Sequence, residues 1–198
     1  MEELVLASGS RYRAELLERL LIPFSVARPD VDETPQPDED PAALVARLAR
    51  AKAEVGAGQH PRGLVIGSDQ VAELDGRVLG KPGTSANARA QLASLSGRTV
   101  TFLTGLCLHN ACTGTSREAV IHNAVLFREL TEAQIADYVE LEQPLDCAGA
   151  FKSEGLGIAL FESLQGSDPN ALIGLPLIAL CEMLTAEGLL ILGKRRPS

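Results

Sequence analysis

Residues 4–21 read LVLASGSRYRAELLERLL. Leu4-Val5-Leu6-Ala7 is an apolar run of the length of a short buried strand. Ser8-Gly9-Ser10 breaks it with small residues. Beyond the break, Leu16, Leu17, Leu20 and Leu21 recur on one helical face, Ser10 stands where an N-cap belongs, and Pro23 ends the pattern. A buried strand running through a tight turn into a helix is the unit from which α/β architectures are built. The same junction has a chemical reading. Free N–H groups and the dipole at a helix N-terminus attract phosphate, and Arg13 can grip a phosphate with two hydrogen bonds. An ordinary strand–turn–helix junction with surface arginines fits the residues as well, and no GxxxxGK[ST] phosphate loop occurs in the chain.

Outward from this unit, residues 28–41 are rich in proline and acids, which is loop composition. Asp40-Pro41 then supplies a cap and a first-turn proline for a helix through Leu44, Val45 and Leu48 to about Val55, stopped by Gly56 and Gly58. Leu64–Gly67 is a second buried strand. Val71–Leu74 and Arg77–Leu79 flank Asp75-Gly76, a hairpin turn. Ser85 caps a helix over 86–95, with Gly97 behind it. Residues 99–109 and 117–127 form a second hairpin. Thr131 and Gln134 make a capping box for a helix to about Glu142. Gly157–Leu164 reads as a strand, Pro176–Glu187 as the last helix, and Lys194-Arg195-Arg196 as a frayed end. The expectation is a mixed α/β fold, a twisted mixed sheet flanked by helices, in one domain over residues 1–192 with two lobes around a central cleft. A basic tail, 193–198, follows.

The chain has 198 residues, 45% of them hydrophobic, enough for one well-buried core. Aromatics make up only 4% and Trp is absent, so Leu, Val, Ile and Ala must build that core. A net charge of −8 argues against binding a nucleic acid polymer or an anionic membrane, and leaves anionic ligands only a focused pocket of Lys and Arg. The first residues carry no basic segment or long apolar run, and no stretch approaches the ~18 apolar residues of a membrane span. Cys107, Cys112, Cys147 and Cys181 form no CxxC pair, and His60, His109 and His122 have no zinc-ligand spacing. A cytoplasmic protein with reduced thiols is expected.

Four further segments carry chemistry. Asp32 and Glu33, in the acidic loop, are oxygen donors of the kind that share Mg²⁺ or Mn²⁺ with substrate phosphates; a solvated acidic loop is the alternative. In Ile66-Gly67-Ser68-Asp69-Gln70 an acid follows an apolar strand, where clefts open in α/β folds. That carboxylate can steer or deprotonate a water, or simply cap a turn. Lys52 and Lys81 can neutralise phosphate, or be surface lysines. Phe151-Lys152-Ser153-Glu154-Gly155 either aims a polar group into a cleft or forms an exposed loop.

The ordered strings LVLASGSRYRAELLERL, VDET, LARAKA, IGSDQV, GKP, LSGRTVTFLTGL, CAGAFKSEG and DPNALIGLPL together resemble the Maf family of nucleotide pyrophosphatases over roughly residues 3–192. The resemblance implies a mixed α/β fold related to inosine triphosphate pyrophosphatases, a divalent metal (Mg²⁺, Mn²⁺ or Co²⁺), a nucleoside triphosphate substrate cut to monophosphate and pyrophosphate, and a homodimer. Carried over by motif, Asp69 is the proton acceptor. Ser8, Arg13, Lys52 and Lys81 hold the triphosphate, and Glu33, with Asp69, binds metal or activates water. Arg11 departs from the family's usual proline, a change expected to touch the helix start more than the chemistry.

Three positions separate branches of this family, and here they hold Tyr12, Gln70 and Glu154. The set is similar to the 7-methyl-GTP branch; the dTTP/UTP branch carries Arg, Thr and Gln. The physics agrees with the resemblance. N7 methylation makes guanine cationic, and a cation on an aromatic face gains about 0.5–2 kcal/mol. A carboxylate accepts from the guanine N1–H and exocyclic amine, and Gln70 can donate or accept beside it. The competing expectations are a dTTP/UTP or broad modified-nucleotide pyrophosphatase and, from another class, a non-catalytic nucleotide-binding regulator of cell division.

Overall fold

The computed structural model of the chain describes residues 3–193. The basic tail expected at 193–198, beyond Gly193, lies outside the described residues. Strand β1 (Glu3–Ala7) is buried after its first residue. Helix α1 (Arg11–Glu18) follows, and the Ser10 side chain caps it by accepting from the Arg13 amide. The helix is shorter than its leucine pattern: Leu20 still packs on the core, but Leu21 sits at φ +54° and is 69% exposed. Strand β2 (Ser25–Ala27) has only three residues, too few to show a period in the sequence, and pairs in parallel with β1.

Helix α2 (Pro41–Gln59) starts on the expected Asp40 cap but runs through Gly56 instead of stopping there. A Cβ at Gly56 would lie 2.9 Å from the Ala7 Cβ, so this glycine serves close helix–strand packing rather than termination. Strand β3 (Gly63–Leu74) is one 12-residue strand, not two segments. Asp69 therefore lies within a strand rather than at its end. Strand β4 (Arg77–Leu79) closes the expected hairpin, with Asp75 and Gly76 both at positive φ. Helix α3 (Ser85–Leu95) is capped by Thr84, whose hydroxyl accepts from the Asn87 amide, not by Ser85. Strands β5 (Thr99–Asn110) and β6 (Thr115–Phe127) form the long hairpin, and the Thr131–Gln134 capping box opens α4 (Glu132–Glu142). The expected strand from Gly157 begins only at Phe161, as β7 (Phe161–Gly166); Leu156–Leu160 is a 3-10 turn. Gly157 lies on the Lys152 backbone, where a Cβ would meet the carbonyl oxygen at 2.3 Å, and this contact folds the chain back before it can extend. Helix α5 (Leu177–Ala186) is last.

The seven strands form one mixed sheet in the order β2-β1-β3-β5-β6-β7, with β4 on the extension of β3. The β1 pairings are parallel and all others antiparallel. The two largest apolar clusters divide this frame. One, with Leu16, Leu17, Ile66, Leu106 and Leu180, sits where α1 and α5 cover the sheet. The other gathers α3, α4 and the far ends of the long strands around Phe102, Phe127, Phe151 and Phe161, whose rings meet edge to face. Most of the few aromatics are thus concentrated in one lobe, and the aliphatic core expected of the composition fills the other. No helix among the described residues is long and apolar enough to cross a membrane.

Candidate active site

A cleft of about 750 Å³ opens between the two clusters. Its lining includes the nine residues that the resemblance implies, Ser8, Tyr12, Arg13, Glu33, Lys52, Asp69, Gln70, Lys81 and Glu154, but not Asp32, which accepts from the Thr34 amide within its own loop. They arrive from six places in the chain: the β1–α1 turn and α1, the proline-rich loop, α2, β3, the segment after β4, and the loop after α4.

The centre is a charge triad. The Lys52 ammonium lies 2.7 Å from Asp69 Oδ1 and 2.6 Å from Glu33 Oε1. Lys52 and Asp69 are both buried, while the Glu33 side chain remains more than half exposed. The hydrogen bond from Lys52 holds the Glu33 carboxyl below its ordinary range, against the opposing effect of burial and with help from Lys81 and Arg13. Glu33 is thus ionised at neutral pH. Asp69 Oδ2 accepts from no described residue and is not sealed from solvent, so one oxygen stays available to the cleft.

Backbone contact explains why Lys52 reaches Asp69. A Cβ at Gly67 would stand 2.0 Å from the Ala49 carbonyl oxygen, and one at Gly105 would stand 2.2 Å from that of Val45. Only glycines let α2 lie flush on β3 and β5, and Ala49, Ala53 and buried Cys107 complete the seam. A larger residue at either glycine would lift the helix, and Lys52 with it.

Around the triad, the Arg13 Nε donates to the Gly174 carbonyl at 2.8 Å and its guanidinium reaches the Ser8 hydroxyl at 3.3 Å. Ser8 also accepts from the Ser10 amide. Burial pushes the Arg13 pKa down while Asp69 and Glu33 pull it back, so it stays a cation in a crowded wall. Lys81, also in the cleft lining, is exposed. The Glu33 loop is pinned by Arg47, which makes a paired contact to Glu39 at 2.6 and 2.8 Å and donates to the Thr34 carbonyl at 3.1 Å.

At the other end, Tyr12 and Glu154 face the cleft from opposite lobes. Burial raises the Tyr12 phenol, which stays protonated. Arg11 leaves the helix start intact. Its guanidinium lies 4.7 Å from the Tyr12 ring centroid and donates to the Tyr12 hydroxyl at 2.8 Å. The ring therefore already carries a cation on one face. Lys152 does not enter the cleft: its ammonium caps the end of α4 through the Glu142 carbonyl at 2.7 Å, and its amide donates to the Tyr138 hydroxyl. The thiol on the cleft wall, Cys147, is pushed up to about 12 by burial and by Asp146, and a protonated thiol is no nucleophile.

Ser68, Thr104, Asp168 and Gly174 carry no role in the sequence reading, yet all of them support this site. Ser68, fully buried, donates to the Gly105 or the Gly174 carbonyl, and Gly174 holds φ +121°, which favours glycine. Their signals were the strings of the resemblance, IGSDQV for Ser68, LSGRTVTFLTGL for Thr104 and DPNALIGLPL for Asp168 and Gly174, and a main-chain acceptor has no residue type to betray it.

Among the described residues no group of three or more His, Cys, Asp or Glu side chains is assembled as a metal site. Two hard carboxylates converging on one cation, beside an open phosphate-sized cleft, do suit a dication that completes its shell with water and phosphate oxygens.

The fold and the cleft define a class. Residues 3–187 match the family described as Maf-like protein, and the chain belongs to that family. Two relatives carry the name 7-methyl-GTP pyrophosphatase. That of Chromohalobacter salexigens is 57% identical over 195 residues, covering 98% of this chain and 100% of the relative. That of Nitrosococcus oceani is 58% identical over 185 residues, covering 93% of each.

Proposed function

We propose that the protein hydrolyses 7-methyl-GTP at the α–β bond, giving 7-methyl-GMP and pyrophosphate. The observation that carries this reading is the meeting, in one cleft, of the Lys52-bridged carboxylates of Asp69 and Glu33 with the cations Arg13 and Lys81. A net-negative protein has gathered there the charges that a triphosphate needs. The names of the two relatives described above support the choice of base.

In this mechanism Ser8, the amides of the β1–α1 turn, Arg13 and Lys81 hold the triphosphate. Asp69 orients a water through its open Oδ2 and takes its proton as the water oxygen bonds to the α-phosphorus. The bond from the α-phosphorus to the bridging oxygen breaks, and pyrophosphate leaves with the electron pair. Lys52 fixes the Asp69 carboxylate and, with Arg13 and Lys81, offsets the negative charge that builds on the phosphate oxygens. A divalent cation such as Mg²⁺, Mn²⁺ or Co²⁺, held by Glu33 and Asp69, would supply further neutralisation of those oxygens. Tyr12 receives the cationic methylated ring on one face, and Glu154 accepts from the guanine edge.

A panel of 7-methyl-GTP, GTP, UTP and dTTP with product identification tests this. Monophosphate and pyrophosphate from 7-methyl-GTP ahead of the others is the expected result. Preference for UTP or dTTP would favour the other branch, and binding without pyrophosphate release would favour a non-catalytic regulator. Asp69→Asn should cut turnover by at least ~100-fold with the fold intact. Turnover near that of the unaltered protein would remove Asp69 from this role.

A further inference from the structure

Gln70 points its amide nitrogen at three acceptors: the Ala171 carbonyl at 2.7 Å, the Leu172 carbonyl at 3.1 Å and the Thr104 hydroxyl at 3.1 Å. Main-chain carbonyls accept and never donate, so the opposite amide orientation would set an oxygen against two oxygens. Thr104, 1% exposed and directly across from Gln70 in the β3–β5 pairing, fixes the sense of the network. Its hydroxyl donates to Ala171 at 2.8 Å, which leaves its lone pairs to accept from Gln70. The other end of the amide, Oε1, accepts from no described residue and is not sealed from solvent, in a side chain that lines the cleft.

The carbonyls are themselves clamped. Asp168 is 1% exposed. Its Oδ1 accepts from the Asn170 amide at 2.9 Å and the Asn170 side chain at 3.1 Å, and its Oδ2 accepts from the Ile178 amide at 2.6 Å. Its own carbonyl accepts from buried Asn123 on β6 at 3.0 Å. Asp168 thus ties the 3-10 turn Pro169–Leu172 to the central sheet and to the first turn of α5.

We infer that Thr104 and Asp168 are positioning residues that make Gln70 a one-way reader: its carboxamide is locked with Oε1 toward the base, so the site selects a base edge that offers N–H donors. Guanine, with a ring N–H and an exocyclic amine adjacent, satisfies such an acceptor beside the Glu154 carboxylate. Uracil, whose single N–H stands between two carbonyl oxygens, sets an acceptor against it. The inference rests on the nucleotide-hydrolysis reading above and adds how the base is told apart.

The test is Thr104→Val, which keeps the shape and removes the hydroxyl, beside Thr104→Ser, which restores it. Thr104→Val removes the bond that Gln70 donates to the hydroxyl and the bond that the hydroxyl donates to Ala171; losing the Gln70 bond alone should lower the 7-methyl-GTP over UTP ratio of kcat/KM about three- to tenfold, with the loss in KM rather than kcat. Thr104→Ser should keep the ratio. In a Gln70→Ala background Thr104→Val should add nothing further. An unchanged ratio in Thr104→Val, equal losses on every nucleotide, or a Thr104→Ser variant as impaired as Thr104→Val would each overturn the proposal. Asp168→Asn, which puts a donor against an amide donor, should lower the same ratio, and an unchanged ratio would remove Asp168 from the device. A second arm needs no activity. The Gln70 side-chain amide protons, assigned by their loss in Gln70→Ala, should be protected from solvent exchange in the unaltered protein and less protected in Thr104→Val. Absence of that protection overturns the locked orientation. An unaltered protein with no guanine preference but a protected amide would instead sink the substrate reading, and the selection built on it.

Discussion

Lys52 is the residue on which the electrostatics of the cleft turn, because it is a buried ammonium with two carboxylates on it. Replacing it by Met removes the ammonium that bridges Glu33 and Asp69 and leaves them only the more distant charges of Arg13 and Lys81. Its bond is the main cause of the low Glu33 pKa, so in Lys52→Met the Glu33 carboxyl should titrate at higher pH. The sign for stability follows. The Glu33–Lys52 tie contributes fully above the unfolded Glu pKa and is lost as pH falls through the depressed folded value, so it is intact at neutral pH. Lys52→Met should therefore lower kcat/KM and move the acid limb of its pH profile upward. An acid limb that stays in place would show that Glu33 does not report there. Tyr12 is the residue for the base: Tyr12→Ala should weaken 7-methyl-GTP more than GTP, by about two- to thirtyfold if the ring supplies the cation contact. Equal loss on both, measured as kcat/KM, would count against stacking.

At the scale of elements, the site depends on how closely α2 lies on the sheet. Gly67→Ala places a methyl group within the radius of the Ala49 carbonyl. Overpacking of this kind costs about 1–3 kcal/mol, which thermal unfolding would read as a lower Tm. Activity should fall beyond that, since the shift separates Lys52 from Asp69. Full activity with an unchanged Tm would mean that the seam is not tight. The sequence announced α2 by its Asp40 cap and leucine pattern, and β3 by its apolar run, but not their contact. Gly56 read as a stop because glycine destabilises a free helix, whereas here the space against Ala7 decides. Asp69 read as a strand end because Ser68-Asp69-Gln70 is polar. In the fold Ser68 finds main-chain acceptors, Asp69 finds Lys52, and pairing with β5 continues through all three.

At the scale of the molecule, the long strands β3, β5 and β6 pass through both lobes, so neither lobe has a sheet of its own. Phe127, fully buried among the aromatic rings and away from the cleft, probes that union. Phe127→Ala should cost about 3–5 kcal/mol and lower the Tm of one cooperative transition. Two separated transitions in calorimetry would show lobes that unfold independently. The cleft lies where the lobes meet, which is why its residues are drawn from every third of the chain.

By itself, the sequence determined the element types, most helix starts and the residues with chemistry to offer. Capping, periodicity and side-chain functional groups are local properties, readable one segment at a time. Only the tertiary structure decided that Lys52 bridges two carboxylates, that glycines seat α2, and that the carbonyls of Ala171, Leu172 and Gly174 hold Gln70, Ser68 and Arg13. Those effects arise from distances between segments and from main-chain atoms that every residue type shares, and neither leaves a mark in the order of amino acids.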